Sequence, residues 1–257
     1  MNVPEILLER LSEADHVVVL TGAGVSAESG IKTFRDPDGL WAKFNPAELA
    51  SVDGFMSNPD MVWSWYQHRR EIINTTKPNP GHFAIAEMQD MFTKFTLITQ
   101  NVDRLHQKAG SKKVYELHGN IIENHCFKCK EPFDDEIDYE SKSPPLCKLC
   151  GGMIRPSVVW FGEMLPYETL KYAQEASAGS DIFFSVGTSA EVYPAADLPM
   201  IALRNGAYVV EVNPNQTVLS KYVHARLDEP SGIALPILLE MLKKYKENLN
   251  YNKIKGN

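Results

Sequence analysis

Five short apolar runs constrain the fold most. "HVVVL" (16–20), "FTLIT" (95–99), "KVYEL" (113–117), "DIFFSV" (181–186) and "AYVVEV" (207–212) lack the clean polar–apolar alternation of strands with one wet face, and such strands are covered on both sides. Helical patterns separate them. "PEILLERLSEA" spaces Ile6, Leu7, Leu11 and Ala14 helically, with Pro4 suited to a first turn. "YETLKYAQEA" and "DLPMIALRN" follow later, and "SGIALPILLEMLKKYKENL" comes after the last run. Strand and helix in alternation predict an α/β fold: a parallel sheet with helices on both faces.

Two segments interrupt that rhythm. Residues 33–80 are rich in Trp, Pro and helical signals without a clear sheet strand, and residues 121–156 hold all four cysteines and the turn-rich "ESKSPPL". Both read as insertions forming a small second domain, a helical module with a cysteine-bearing module. The sheet domain then takes 1–32, 81–120 and 157–250, with 251–257 a polar tail. At 257 residues and 44% hydrophobic, the chain is long enough for both.

The net charge of −7 argues against a general nucleic-acid surface and leaves room for a basic partner, such as a lysine-bearing peptide. No apolar run approaches the ~20 residues of a membrane span, and the start "MNVPEILLERLSEAD" is too acidic for a signal peptide. The expected location is the cytoplasm, and the expected state a monomer.

Ligands of doubly wound sheets bind beyond the carboxyl ends of the strands. "HVVVL" leads into "TGAGVSAESG", where Gly22, Ala23 and Gly24 would let backbone N–H groups approach a phosphate at a helix start. Alone this is weak: Ala27 holds the sixth place of G-x-G-x-x-G, and a tight strand-to-helix turn explains it as well. "FTLIT" leads into Gln100-Asn101-Val102-Asp103, "DIFFSV" into Gly187-Thr188-Ser189, and "AYVVEV" into Asn213-Pro214-Asn215. Several polar strand ends around one edge favour a nucleotide site.

Cys126-x2-Cys129 and Cys147-x2-Cys150 have seventeen residues between them. Two such knuckles complete a tetrahedral, structural zinc site with no open position for water. A redox CxxC is the rival, disfavoured by the second pair. The acidic loop "KEPFDDEIDYESKSPP" disfavours phosphate contact by this ribbon. On the helical stretch "MVWSWYQHRREII", Tyr66 and Arg69 share a face, so a phenol and a guanidinium can aim at one target. A surface arginine beside a half-buried ring is the plainer alternative. Arg70 falls off that face and reads as a surface charge. In "YELHGN", His118 ends a strand before Gly119, and can be a core residue, a metal ligand or a base.

"GAGVSAESGIKTFR", "TQNVDRLHQKAG", "ELHGN", "VVWFGE", "GTSAEVYPAA" and "VEVN", in this order with two CxxC pairs between the third and fourth, closely resemble sirtuins, the NAD-dependent protein-lysine deacylases. The match runs from about Val17 to Leu242. It implies a Rossmann-like NAD domain beside a zinc-ribbon domain, and acylated-lysine proteins or peptides as partners. Gly22, Ala23, Gly24, Glu28, Thr33, Phe34, Arg35, Gln100, Asn101, Asp103, Gly187, Thr188, Ser189, Asn213 and Ser231 would bind NAD. Lys32 stands where such families usually have proline, which predicts a looser loop before Phe34.

The resemblance makes His118 the catalytic base, with Asn101 beside it in the nicotinamide pocket. The acyl-lysine oxygen would attack C1′ of the nicotinamide ribose and expel nicotinamide. A neutral imidazole would take a ribose proton, and water would release lysine and O-acyl-ADP-ribose. His106 and His125 read as structural. Tyr66 and Arg69 match the branch that removes acidic acyl groups: Arg69 can pair with a terminal carboxylate and Tyr66 can donate to it. Succinyl- and malonyl-lysine are therefore expected, with acetyl-lysine also accepted. Val159, Phe161 and Gly162 would offer backbone and wall to the peptide, although Val-Val-Trp-Phe also reads as core, and Glu163 is left undecided. A mainly deacetylating enzyme, a mono-ADP-ribosyltransferase and a non-enzymatic NAD sensor are the rivals.

Overall fold

The computed structural model describes residues 2–31, 46–138 and 141–255. Among the described residues, six parallel strands form the main sheet: β1 (His16–Thr21), β2 (Lys94–Thr99), β3 (Val114–Glu116), β6 (Ile182–Val186), β7 (Tyr208–Val212) and β8 (Ala225–Leu227). Their order is β3-β2-β1-β6-β7-β8, the Rossmann arrangement with its switch between β1 and β6. Thr21 lies level with Thr99 on one side and Val186 on the other. The loops after β1, β2 and β6 therefore leave the sheet at one height.

Alternate β1 residues serve opposite layers. Val17 and Val19 pack with Leu7, Leu11, Ile85, Leu235 and Leu238 from the helices Glu5–Glu13, Pro80–Met88 and Ser231–Lys255. Val18 and Leu20 pack with Ala173, Leu198 and Ala202 from Tyr167–Ala178 and Leu198–Arg204. All six β1 residues are buried, which explains the unbroken apolar run. Burying a residue of this size contributes about 1.5–3 kcal/mol.

β4 (Gly119–Cys126) and β5 (Ile154–Val158) form a separate antiparallel pair beside the sheet. They pack with the helices Val52–Ser57 and Pro59–Thr75 around Phe55, Val62, Tyr66, Ile73, Ile121 and Trp160. The Pro59–Thr75 helix starts where Asn58 accepts from the Met61 N–H at 3.1 Å with Pro59 behind it. Two details differ from expectation. The last helix continues to Lys255, past the boundary set at residue 250, because its backbone bonding needs no further apolar face. β8 was not foreseen, since three residues at a sheet edge carry no apolar run. Among the described residues, no helix is long and apolar enough to cross a membrane.

Candidate functional site

The strand-end loops interlock at the β1/β6 switch. The Gly22 N–H donates to Val186 O over 3.0 Å and Gly24 N–H to Gly187 O over 2.8 Å. A Cβ on Gly22 or Gly24 would sit 2.8 Å from Gly187 O, so both positions require glycine. Gln100 donates to Thr188 Oγ1 at 3.1 Å and Asn213 Nδ2 to the Thr188 carbonyl at 3.1 Å. Asn101 Nδ2 donates to Gly22 O at 3.0 Å, and Ser26 Oγ–H to Asp103 at 2.7 Å. Asp103 is buried, which pushes its carboxyl above the usual range, opposed by the Leu105 N–H and Ser26. Ser189 follows Thr188 in the same loop.

At the far end, Glu28 accepts the Gly232 N–H at the start of the last helix over 2.7 Å. Beside it, the buried Ser231 hydroxyl has no hydrogen-bond partner among the described residues. Gly22, Gly24, Gln100, Asn101, Asp103, Gly187, Thr188 and Asn213 are thus tied together at the strand ends, with Ala23 between the two glycines, while Glu28 and Ser231 meet at the start of the last helix. Thr33, Phe34 and Arg35, with Lys32, lie outside the described residues. Ser26 was not foreseen as a member, although its place inside the glycine loop was a signal.

His118 stands in the turn between β3 and β4, partly exposed. Its Nδ1 lies 3.0 Å from Gln100 O. The N–H therefore sits on Nδ1, and Nε2 carries the lone pair. Burial lowers the imidazole pKa, partly offset by that hydrogen bond. Gly119 takes φ +67°, and a Cβ there would lie 2.0 Å from Ser157 O; only glycine makes this turn. A cleft of about 520 Å³ opens beside it, lined in part by Gly119, His125, Ser157, Val159, Glu163 and Met164. His106 and His125 are bonded within the fold. His106 bonds Thr21 Oγ1 at 2.9 Å and burial pushes it down to about 3; His125 bonds Ser157 Oγ at 2.9 Å and sits at about 4.

Tyr66 and Arg69 are both buried on the Pro59–Thr75 helix. Tyr66 accepts the Trp160 indole N–H at 2.8 Å, and burial raises its phenol to about 12. The Arg69 guanidinium lies 5.0 Å from the Trp65 ring centroid. Arg70 is not the surface charge expected. It is fully buried, donating to Ile121 O, Gln67 Oε1 and Asn124 Oδ1, because the helix is wrapped by β4 as well as by the apolar cluster. Trp160 was also missed: 94 residues separate it from Tyr66, and no local pattern links them.

The segment after β5 is only partly free for a peptide. Val159 N–H donates to His118 O at 2.9 Å and Phe161 N–H to Ala50 O at 2.8 Å. Those two donors are spent internally, while the Phe161 side chain and Gly162 are exposed. Glu163, undecided from sequence, pairs with Arg155 at 2.6 Å and accepts the Trp160 N–H at 2.8 Å.

The four cysteine sulfurs lie within 4.8 Å of one another. Cys126 and Cys150 are 3.5 Å apart, and Cys129 and Cys147 3.7 Å. That is far beyond a disulfide and close to the roughly 3.8 Å edge of a tetrahedron with ~2.3 Å zinc–sulfur bonds. The knuckles are built alike. Lys130 N–H donates to Cys126 O and Gly151 N–H to Cys147 O, with Lys130 and Gly151 both left-handed. The donor set fits one structural zinc ion.

A Rossmann-ordered sheet, a histidine turn at its rim and a second lobe holding four clustered cysteines form an architecture suited to binding a dinucleotide at the strand switch. The Sir2 family model matches residues 22–194. The NAD-dependent protein deacylase of Aquifex aeolicus (strain VF5) is 48% identical over 229 residues, covering 89% of this chain and 96% of that protein. A Sir2 homolog–NAD complex superposes with TM-score 0.90 at 41% identity, covering 95% of this chain and 96% of that one. A Sir2 complex with a deacetylated p53 peptide and 3′-O-acetyl ADP ribose has TM-score 0.82 at 34% identity, covering 94% and 98%. The chain belongs to the Sir2 family of NAD-dependent protein deacylases.

Proposed function

We propose that this protein removes acyl groups from protein lysines at the expense of NAD, taking succinyl and malonyl groups as well as acetyl. NAD, when bound, supplies the ribose carbon that accepts the acyl oxygen and the leaving nicotinamide. The glycine loop, whose Gly22 and Gly24 N–H groups are already bonded to Val186 O and Gly187 O, would hold its phosphates together with Gly187, Thr188 and Ser189. Asn213 would take the adenosine ribose, and the Ser231 hydroxyl, without a partner among the described residues, the adenine end. Asn101 and Asp103 would line the nicotinamide side. His118 Nε2 would take the ribose proton while Gln100 O holds Nδ1–H.

The acidic-acyl reading rests on one observation: Tyr66 and Arg69 are buried together on one helix face. A buried guanidinium and a neutral phenol favour an anionic acyl end that an apolar wall would leave unpaired. The peptide would lie along the exposed Phe161 and Gly162 beside Val159. The four unbridged cysteines support a reducing cytoplasm, the net charge of −7 supports protein over nucleic-acid substrates, and a monomer is part of the same proposal.

The test is purified protein with NAD and matched acetyl-, succinyl- and malonyl-lysine peptides, with products read by mass spectrometry. O-acyl-ADP-ribose from the succinyl peptide is expected. ADP-ribosylated protein without free lysine would overturn the reaction; turnover of acetyl peptide alone would overturn the acyl preference.

A further inference from the structure

Trp160 joins two parts of the site that the chain keeps far apart. Its ring is fully buried, and its indole N–H donates to the Tyr66 oxygen over 2.8 Å. An indole N–H only donates, whereas a phenol both donates and accepts. Trp160 therefore fills an acceptor position of Tyr66 and leaves the phenol its own hydrogen to give. Among the described residues that hydrogen meets no acceptor. Arg69, one helical turn on, carries donors alone. What the Tyr66 hydroxyl has to offer a ligand is thus a donor, which suits an acceptor-only carboxylate.

The indole is itself held firmly. The Arg155 guanidinium lies 3.3 Å from its ring centroid. Arg155 is fixed by two bonds to Glu163, at 2.6 and 2.9 Å, and by a third to Val158 O at 2.7 Å. Glu163 also accepts the Trp160 backbone N–H. On the same stretch, Val159 bonds the carbonyl of His118. One run of residues, 155–163, therefore sets both the indole against the phenol and the backbone against the histidine turn.

We propose that Trp160 is a positioning residue for acyl selectivity: its indole N–H orients the Tyr66 hydroxyl to donate to the terminal carboxylate of an acidic acyl group. This rests on the acidic-acyl reading above. The indole holds the phenol oxygen as an acceptor on one side only. Without it the hydroxyl is free to turn, and the orientation that serves a carboxylate becomes one of several.

The experiment replaces Trp160 by benzothienylalanine, which keeps the ring's size and its stacking on Arg155 but lacks the N–H; Trp160→Phe is the second variant. KM and kcat are measured on succinyl and acetyl peptides, with Tyr66 intact and with Tyr66→Phe. The analogue is expected to raise the succinyl-to-acetyl KM ratio about fivefold, the worth of one hydrogen bond. In the Tyr66→Phe background it should raise that ratio no further. An unmoved ratio, or the same rise without the phenol, overturns the inference. The parent reading is judged separately, with Trp160 intact. If Arg69→Met leaves the succinyl-to-acetyl ratio where it was, the acidic-acyl reading fails and this inference with it. A normal Arg69 response beside a silent analogue overturns the inference alone.

Discussion

The imidazole Nδ1 of His118 lies 3.0 Å from the carbonyl oxygen of Gln100. That contact fixes the tautomer and joins the β2 loop to the turn after β3. His118→Ala should lower kcat by about 10²–10⁴, the range for a lost general base, with circular dichroism unchanged. Because burial lowers the imidazole pKa, the neutral form persists below the ordinary histidine range. The acid limb of kcat/KM should therefore lie below pH 6.5. A limb centred above it would contradict this assignment.

His82 and His106 are buried with rings 4.9 Å apart, and burial pushes them to about 4 and about 3. The unfolded chain binds these protons first as pH falls, so stability rises with pH in this window. Each contributes up to about 1.4 kcal/mol per pH unit below the unfolded value near 6.5. Urea midpoints should drop between pH 7 and pH 5, and His82→Asn should shallow that slope.

Neighbouring arginines should fail differently. Arg70→Met strands Ile121 O, Asn124 Oδ1 and Gln67 Oε1, at about 1–3 kcal/mol for each buried group left unsatisfied. It should lower Tm and both activities together. Arg69→Met should depress desuccinylation at least about tenfold more than deacetylation. Steady-state assays on paired peptides alongside thermal melts separate the two.

Gly119→Ala must either leave φ +67° or drive its methyl into Ser157 O. A loss of roughly 1–3 kcal/mol is expected from the backbone alone, with deacylation falling further because His118 is the adjacent residue. Chemical denaturation and kcat measure the two parts. An alanine variant of full stability would show that the turn tolerates a side chain.

Removing zinc with a strong chelator should unfold the β4–β5 lobe and abolish turnover together, since the four sulfurs close on one point. Cys147→Ser should lose bound zinc, measured by elemental analysis, and lower Tm. Lost activity in a zinc-free sample of unchanged fold would count against a purely structural metal.

How much of this was legible in the sequence varies with the range of the interaction. β1 and β6 were visible because both are buried on both faces and say so locally, whereas the short edge strand β8 was not. Loop residues such as Gly22 and Asn101 were visible because they follow apolar runs directly. Arg70 was misjudged, since a helix pattern shows one face and the second covering element, β4, lies 51 residues away. The Trp160–Tyr66 bond and the Arg155–Glu163 clamp depend on chain returns that no window along the sequence records.

β4 begins at Gly119, next to the histidine, and ends at Cys126 in the first knuckle, with an irregular register against β5 between Gly119 and Asn124. A thiol-directed oxidant or chelator acting at the knuckle would thus loosen the far end of the strand that starts beside His118. Such an inhibitor would never need to enter the groove, and raising the dinucleotide concentration would not rescue turnover.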